Sequence, residues 1–283
     1  DIDILGEPSN LAEIELILAT TTTLGKLGFK NFEIRINERR ILKAMAAYSG
    51  FAEEEFDTVF IILDKMDKIG LEGVAEELAK EGYAQEAIDK YLSLFTGVEQ
   101  AEDGISYLAD TLGDYLDAEI VQNMKEIASA VNATKTASFE LVFDPTLVRG
   151  MSYYTGTIFE ISMDEFGGSV GGGGRYDKMI GKFTGQDTPA VGFSIGFERI
   201  VMLLMERGYK VPTSKEKKAF LIEKNMPKEG MLKVLDLAKK ERAAGRQVMI
   251  MNMKKNKKFQ KEQLAEQGYT DITECYRDSV DNI

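Results

Sequence analysis

The hydrophobic period of this chain switches twice, and that switching constrains its fold more than any single residue does. "DIDIL" (1–5) alternates polar and apolar, with Ile2 and Ile4 on one face, and "GEPSN" turns the chain. Ser9 or Asn10 can cap a helix carrying Leu11, Ile14, Leu18 and Leu24 on roughly one face and ended by Gly28. "NFEIRIN" then alternates Phe32, Ile34 and Ile36, the mark of a half-buried strand. From Glu38 onward the period becomes helical: Phe56, Val59, Phe60 and Leu63, then Leu71, Val74 and Leu78, then Ile105, Leu108 and Leu112. Glycine-containing breaks at Gly70, Gly82, Gly97 and Gly113 separate or interrupt these helices. Strand alternation returns in "ASFELVF", where Phe139, Leu141 and Phe143 share a face. The pattern predicts an α+β domain over 1–215 with a helical insertion at 38–135. Beyond the polar linker "KVPTSKEKK", strand and helix alternate from "AFLIE" to "DITECY", which predicts a small α/β module over 216–283.

Composition narrows the chemistry. Apolar residues make up 44% and charged residues 29%, the range of a globular protein, and no run of 18 apolar residues predicts a membrane span. The one cysteine, Cys275, excludes an internal disulfide and fits a reducing compartment, so a cytoplasmic location is expected. With no histidine, the chain's own residues cannot build a His-based zinc site or a serine–histidine triad, and no metal ligands are expected. Residues 217–283 carry 15 Lys/Arg against 10 Asp/Glu, a net of +5, which leaves −17 of the total −12 on residues 1–216. That asymmetry is compatible with an acidic enzyme body joined to a basic module facing nucleic acid, and equally with ordinary variation between two domains. Asp1 opens the chain without a methionine and inside a strand pattern, so preceding residues are expected to be absent.

Three segments could carry chemistry. "GGSVGGGGRYDK" (167–178) is either a flexible hairpin loop or a backbone left bare so that a ligand can approach. It lacks the Lys-Ser/Thr ending of a phosphate-binding P-loop, while Arg175, Tyr176 and Asp177 just after it favour a functional surface. "VGFSIGFER" (191–199) runs into a helix, where Arg199 suits a phosphate or a base but also a solvated first turn. "LVRGMSYYTGTIFE" (147–160) reads as a hairpin in which Arg149 would be costly without a charged partner or ligand. Tyr153 and Tyr154, placed on a strand, would point to opposite faces, so at most one need face a given pocket. "KKNKKFQK" (254–261) suits RNA phosphates, although a solvated helix face explains it as well.

Together, "LVRGMSYYTGTIFE", "GGGGRYDKMIG" and "TPAVGFSIGFER" resemble the signature segments of the histidyl-tRNA synthetases, class II aminoacyl-tRNA synthetases. "DIDILGEPSNLAEIELI" is similar to the strand and helix after that family's motif 2, and "GFSIGFER" to its motif 3. The resemblance covers most of 1–211, and 216–283 resembles a short anticodon-binding domain. It implies a class II antiparallel sheet with flanking helices, and ATP- and Mg2+-dependent formation of histidyl-adenylate for transfer to tRNA(His). It also implies a cytoplasmic homodimer. Carried onto this chain, Arg149 would face the α-phosphate and the histidine carboxylate. Tyr153, Tyr154 and Tyr176 would border the histidine pocket, and Asp3 would accept a hydrogen bond from the amino acid. Gly172, Gly173, Glu198 and Arg199 would lie against ATP.

The chain departs from the family pattern in places. Ser152 stands where an aspartate is usual, and motif 1, the motif 2 loop and a glutamine expected just before Asp1 are not in this sequence. Residues 1–283 alone are therefore expected to show near-background ATP–pyrophosphate exchange. Two other readings stand beside a ligase: a histidine-binding regulatory subunit of ATP phosphoribosyltransferase, and a pseudo-synthetase interaction domain. Arg149 and Arg199 favour the ligase, because a sensor has no phosphoryl transition state to stabilise.

Overall fold

The computed structural model describes residues 1–149, 153–209 and 215–278; Ser152 and most of the "KVPTSKEKK" linker lie outside these. The chain forms two compact units, Asp1–Gly208 and Tyr209–Ile283. No helix among the described residues is long and apolar enough to cross a membrane.

The first unit is built on a six-stranded sheet. Its strands are β1 (Ile2–Leu5), β2 (Phe32–Glu38), β3 (Phe139–Phe143), β4 (Thr157–Met163), β5 (Gly168–Arg175) and β6 (Ala190–Ile195), in the spatial order β1-β6-β5-β4-β2-β3. Every pair is antiparallel except β2 with β3, so the expected antiparallel sheet is in fact mixed. The connection explains it. Parallel neighbours need a long crossover, and the whole helical insertion lies between these two strands.

Helix α1 (Leu11–Lys26) packs on the sheet, but not by the expected stripe. Leu11 is exposed and Ile14 and Leu18 are half-buried, whereas Ala12, Glu13, Leu16, Ile17, Thr20, Thr21 and Leu24 are buried. The buried face follows the i, i+4 rows that carry Glu13 inward to Arg175. The insertion comprises α2 (Arg39–Ser49), α3 (Phe56–Leu63), α4 (Met66–Lys80), α5 (Gln85–Gln100), α6 (Gly104–Leu112) and α7 (Ala118–Thr134). Phe51, Tyr83, Tyr91 and Phe95 form edge-to-face pairs at its centre, with centroids 5.1–5.4 Å apart. Gly97 is no break. Helix α5 runs through it, and a Cβ there would strike the Tyr107 hydroxyl. Helices α8 (Asp177–Thr184) and α9 (Phe197–Glu206) flank β6.

The second unit is a parallel sheet, β8-β7-β9, of β7 (Lys217–Ile222), β8 (Gln247–Asn252) and β9 (Asp271–Cys275), with α10 (Lys228–Ala243) and α11 (Lys257–Glu266) as crossovers. Alternation on β7 serves both faces. Ala219 and Leu221 pack with Leu264 of α11, and Phe220 and Ile222 with Val234 and Ala238 of α10.

Candidate active site

The glycine-rich segment is neither loop nor ordinary strand. It is β5, hydrogen-bonded between β4 and β6, and its missing side chains are occupied by others. A Cβ on Gly172 would stand 2.5 Å from Nη2 of Arg149, and one on Gly174 would stand 2.9 Å from Cδ1 of Tyr154. On β6, a Cβ on Gly192 would strike Asp3 and come within 3.1 Å of the Tyr176 ring. Glycine at these positions lets side chains from elsewhere in the chain lie directly on the sheet backbone. Gly173 has the opposite parity and faces Phe159, whose ring is buried. Of the two glycines expected at ATP, only Gly172 opens on the site.

Above this floor lies a concavity of about 640 Å³ lined by Arg149, Tyr153, Tyr154, Gly172, Glu198 and Arg199 among others. Arg149 is paired with Glu160 and its side chain is 27% exposed. Arg199 donates from Nη1 to the carbonyl of Ser169 at 2.5 Å, and its guanidinium lies 5.5 Å from the Phe166 ring centroid. Glu198 and Phe197 are exposed at its rim. Asp3 and Tyr176 are not part of this lining; they meet each other on the neighbouring strip of sheet, where the Tyr176 hydroxyl donates to Asp3. Tyr153 connects the two groups, with its ring centroid 4.5 Å from that of Tyr154 and 6.1 Å from that of Tyr176.

The tyrosine pair precedes β4 instead of lying on a strand, so the two rings do not diverge. Both line the concavity, and the Tyr153 hydroxyl donates to that of Tyr154 at 3.4 Å. Burial, and then this contact, raise the Tyr154 phenol above its ordinary value; burial, and then the bond to Asp3, do the same for Tyr176. Both phenols therefore remain proton donors at neutral pH. Arg175, expected on the functional surface, is buried and consumed by Glu13, Asp177 and the carbonyls of Glu7 and Ser9.

Glu160 and Arg35 escaped the sequence reading. Both occupy the polar alternates of strands whose apolar residues drew attention. Alternation says nothing of what that face meets, whereas the strand register sets Arg35 beside Glu160 and Glu160 beside Gly172, which lines the concavity. A second cleft of about 620 Å³, lined by Lys217, Arg246 and Asp271, offers less: Arg246 is already paired with Glu216, Glu241 and Asp271.

A family model for histidyl-tRNA synthetase matches residues 2–200. A protein of Leifsonia xyli subsp. xyli named histidine–tRNA ligase is 44% identical over 278 residues, covering 95% of this chain and 62% of that protein. One of the same name from Korarchaeum cryptofilum is 35% identical over 217 residues, covering 74% of this chain and 47% of that protein. The crystal structure of histidyl-tRNA synthetase from Nostoc sp. PCC 7120 matches with a TM-score of 0.74 at 26% identity, over 94% of this chain and 63% of that one. A structure from Bacillus halodurans C, described as an ATP phosphoribosyltransferase regulatory subunit/histidyl-tRNA synthetase, has a TM-score of 0.76 over 97% of this chain and 67% of its own. At 21% identity that likeness is one of fold alone. The chain thus spans less than two thirds of these relatives' own lengths: 62% of the Leifsonia protein, 47% of the Korarchaeum protein and 63% of the Nostoc structure. With the match running over 2–200 and 44% identity across nearly its whole length, this chain belongs to the histidyl-tRNA synthetase family.

Proposed function

We propose that this chain carries the histidine-activating centre of a histidine–tRNA ligase. It would use ATP to make histidyl-adenylate and pass the histidyl group to tRNA(His). The observation that carries this reading is the pair of guanidiniums, Arg149 and Arg199, lining one concavity over the bare backbone of Gly172.

In the proposed step, a histidine carboxylate oxygen attacks the α-phosphorus of ATP, a P–O bond forms, and pyrophosphate departs with the broken bond's electrons. No side-chain base is required, because the nucleophile is already an anion. Arg149 stabilises charge growing on the α-phosphate oxygens, a contribution realised chiefly in the transition state. Arg199, at the start of α9, reaches the γ-phosphate and stacks on adenine, with Glu198 beside it. Tyr153, Tyr154 and Tyr176 enclose the imidazole, and Asp3 accepts from it or from the amino group. Among the described residues no group of three or more His, Cys, Asp or Glu could hold a metal. Mg2+ therefore fits here as the companion of ATP, where it neutralises phosphate charge. The 216–283 module, with Lys254, Lys255 and Lys258 on an exposed basic stretch, is assigned to the tRNA, and the working form to a cytoplasmic homodimer.

The test is histidine-dependent ATP–pyrophosphate exchange in the full-length protein. Wild type should exchange, and Arg149→Ala should exchange on the order of 10²–10³-fold more slowly with its fold retained. A regulatory histidine sensor would show no exchange in either, and Arg149→Ala would change only its histidine affinity.

A further inference from the structure

The arginine at the centre of the site does not stand alone, and the sheet register shows what holds it. Arg35 on β2 is the direct neighbour of Glu160 on β4, and Glu160 is the direct neighbour of Gly172 on β5. Side chains at paired positions share a face. The row therefore reads cation, anion, and then an empty glycine slot into which Arg149 is laid from the preceding loop. Glu160 divides its carboxylate between the two arginines: Oε2 accepts from Arg149, and Oε1 from Nη1 of Arg35 at 3.5 Å. Its side chain is only 14% exposed, so this charge meets the arginines with little screening.

Arg35 is itself contested. Nε donates to Asp144, a carboxylate fixed by the amide and hydroxyl of Thr146 at 2.8 and 2.6 Å. Nη1 and Nη2 donate to Asp67 at 2.9 and 3.3 Å. Asp67 belongs to the first turn of α4, in the helical insertion, and Asp64 of the same corner feels the charge of Arg149. The charges thus alternate without a gap from the insertion to the site: Asp67, Arg35, Glu160, Arg149.

We infer that Glu160 is the positioning residue for Arg149, and that the Arg35–Asp67 pair couples this hold to the α3–α4 corner of the insertion. The direction follows from competition. While Asp67 occupies the Nη edge of Arg35, Glu160 is left to Arg149. When Asp67 withdraws or loses its charge, Arg35 draws Glu160 toward itself and Arg149 loosens. A displacement of the insertion at α4 would in this way set the order of a side chain on the sheet floor. The inference deepens the proposed activity and rests on it for its kinetic consequence, though not for its structural one.

Two measurements on the full-length protein decide the matter. In histidine-dependent exchange, Glu160→Gln should lower kcat by about ten- to a hundredfold, the scale of a misplaced catalytic group, with both KM values within about twofold. Asp67→Asn, far more exposed at 68%, should lower kcat about two- to threefold, and Asp67→Glu should restore it. The double variant should match Glu160→Gln alone, because Asp67 acts only through Glu160. Independently of activity, the 15Nε resonance of Arg149, assigned by its loss in Arg149→Lys, should report an ordered side chain in wild type. It should report increasing motion in Asp67→Asn and then in Glu160→Gln. Effects that multiply in the double variant, or an Arg149 signal unchanged by either substitution, would overturn the inference. If wild type shows no exchange, the ligase reading fails by itself, and the resonance still decides whether Glu160 holds Arg149.

Discussion

Two arginine–glutamate pairs sit on the same glycine strand, and the chain uses them in opposite ways. Arg175 ends β5. It gives Glu13 two bonds at 2.7 and 2.6 Å, and its remaining donors go to the carbonyls of Ser9 and Glu7 and to Asp177. The Glu13 side chain has no exposed surface. Arg149, over the middle of the strand, is held at Nη1 by Glu160 and keeps its other edge toward the concavity. The first arginine has nothing left to offer a ligand, whereas the second, among the described residues, is bonded only to Glu160, a charge partner that it shares. Under the proposed function, donor saturation, more than burial or charge, is what separates the structural arginine from the one assigned to the ligand.

The sharpest way to break this contrast is to remove each arginine. Arg175→Ala leaves Glu13 buried and unpaired, and should cost about 3–5 kcal/mol of stability in urea unfolding. Replacing the pair together, with Glu13→Leu and Arg175→Met, should recover part of that loss, since the Ser9 and Glu7 carbonyls still lack their donor. Arg149→Ala should change stability by less than about 1 kcal/mol, because its charge is partly solvated and Glu160 retains Arg35. Its exchange rate should instead fall on the order of 10²–10³-fold, as for losing one preorganised oxyanion donor. If Arg149→Ala unfolds the protein while Arg175→Ala only silences it, the two roles are reversed.

The glycines beneath sharpen the same division at smaller scale. Gly173→Ala forces a methyl against the carbonyl of Gly192 and to 2.8 Å from the Phe159 ring, neither of which can easily move. About 1–3 kcal/mol of stability should be lost, read from thermal unfolding. Gly172→Ala meets the end of the flexible Arg149 side chain, with the Phe159 carbonyl at 3.0 Å as a lesser obstacle. Here stability should fall by about 1 kcal/mol or less, while exchange drops about tenfold as Arg149 is lifted off the floor. Equal stability losses at the two positions would show that the parity of β5 does not divide site from core.

How far such features could be read beforehand depended on whether their cause was local. The change of period around Glu38 and after Thr134 is local, and it coincides with the end of β2 and the end of α7. Arg149, Gly172 and Arg199 draw attention in the sequence because unusual residue types stand in short segments. The parallel pairing of β2 with β3 was not visible, because it follows from where a long insertion returns the chain. Glu160 and Arg35 lie 125 residues apart and meet only through strand register, so neither strand announces the other. Strand alternation does not apply to the two tyrosines, because β4 starts only at Thr157, and that boundary is set by pairing with distant strands.

A third ion pair, in the second unit, sharpens the comparison from the solvent side. Glu274 accepts from Lys261, from the Tyr276 hydroxyl and from Lys257 at 3.1 Å, and these contacts hold its carboxyl down at about 2 from an ordinary 4.5. A carboxyl lowered on folding stabilises the folded state above its unfolded value and loses that contribution as pH falls through the folded value. The second unit should therefore weaken between pH 4.5 and about 2, and Glu274→Gln should remove that part of the acid dependence. Both lysines remain more than two-fifths exposed, so the effect should be the smallest of those considered and should shrink further in molar salt. The Arg175–Glu13 pair, shut away from ions, should show no comparable salt dependence. An acid profile unchanged by Glu274→Gln, or a salt response equal for the two pairs, would mean that solvent access does not separate them.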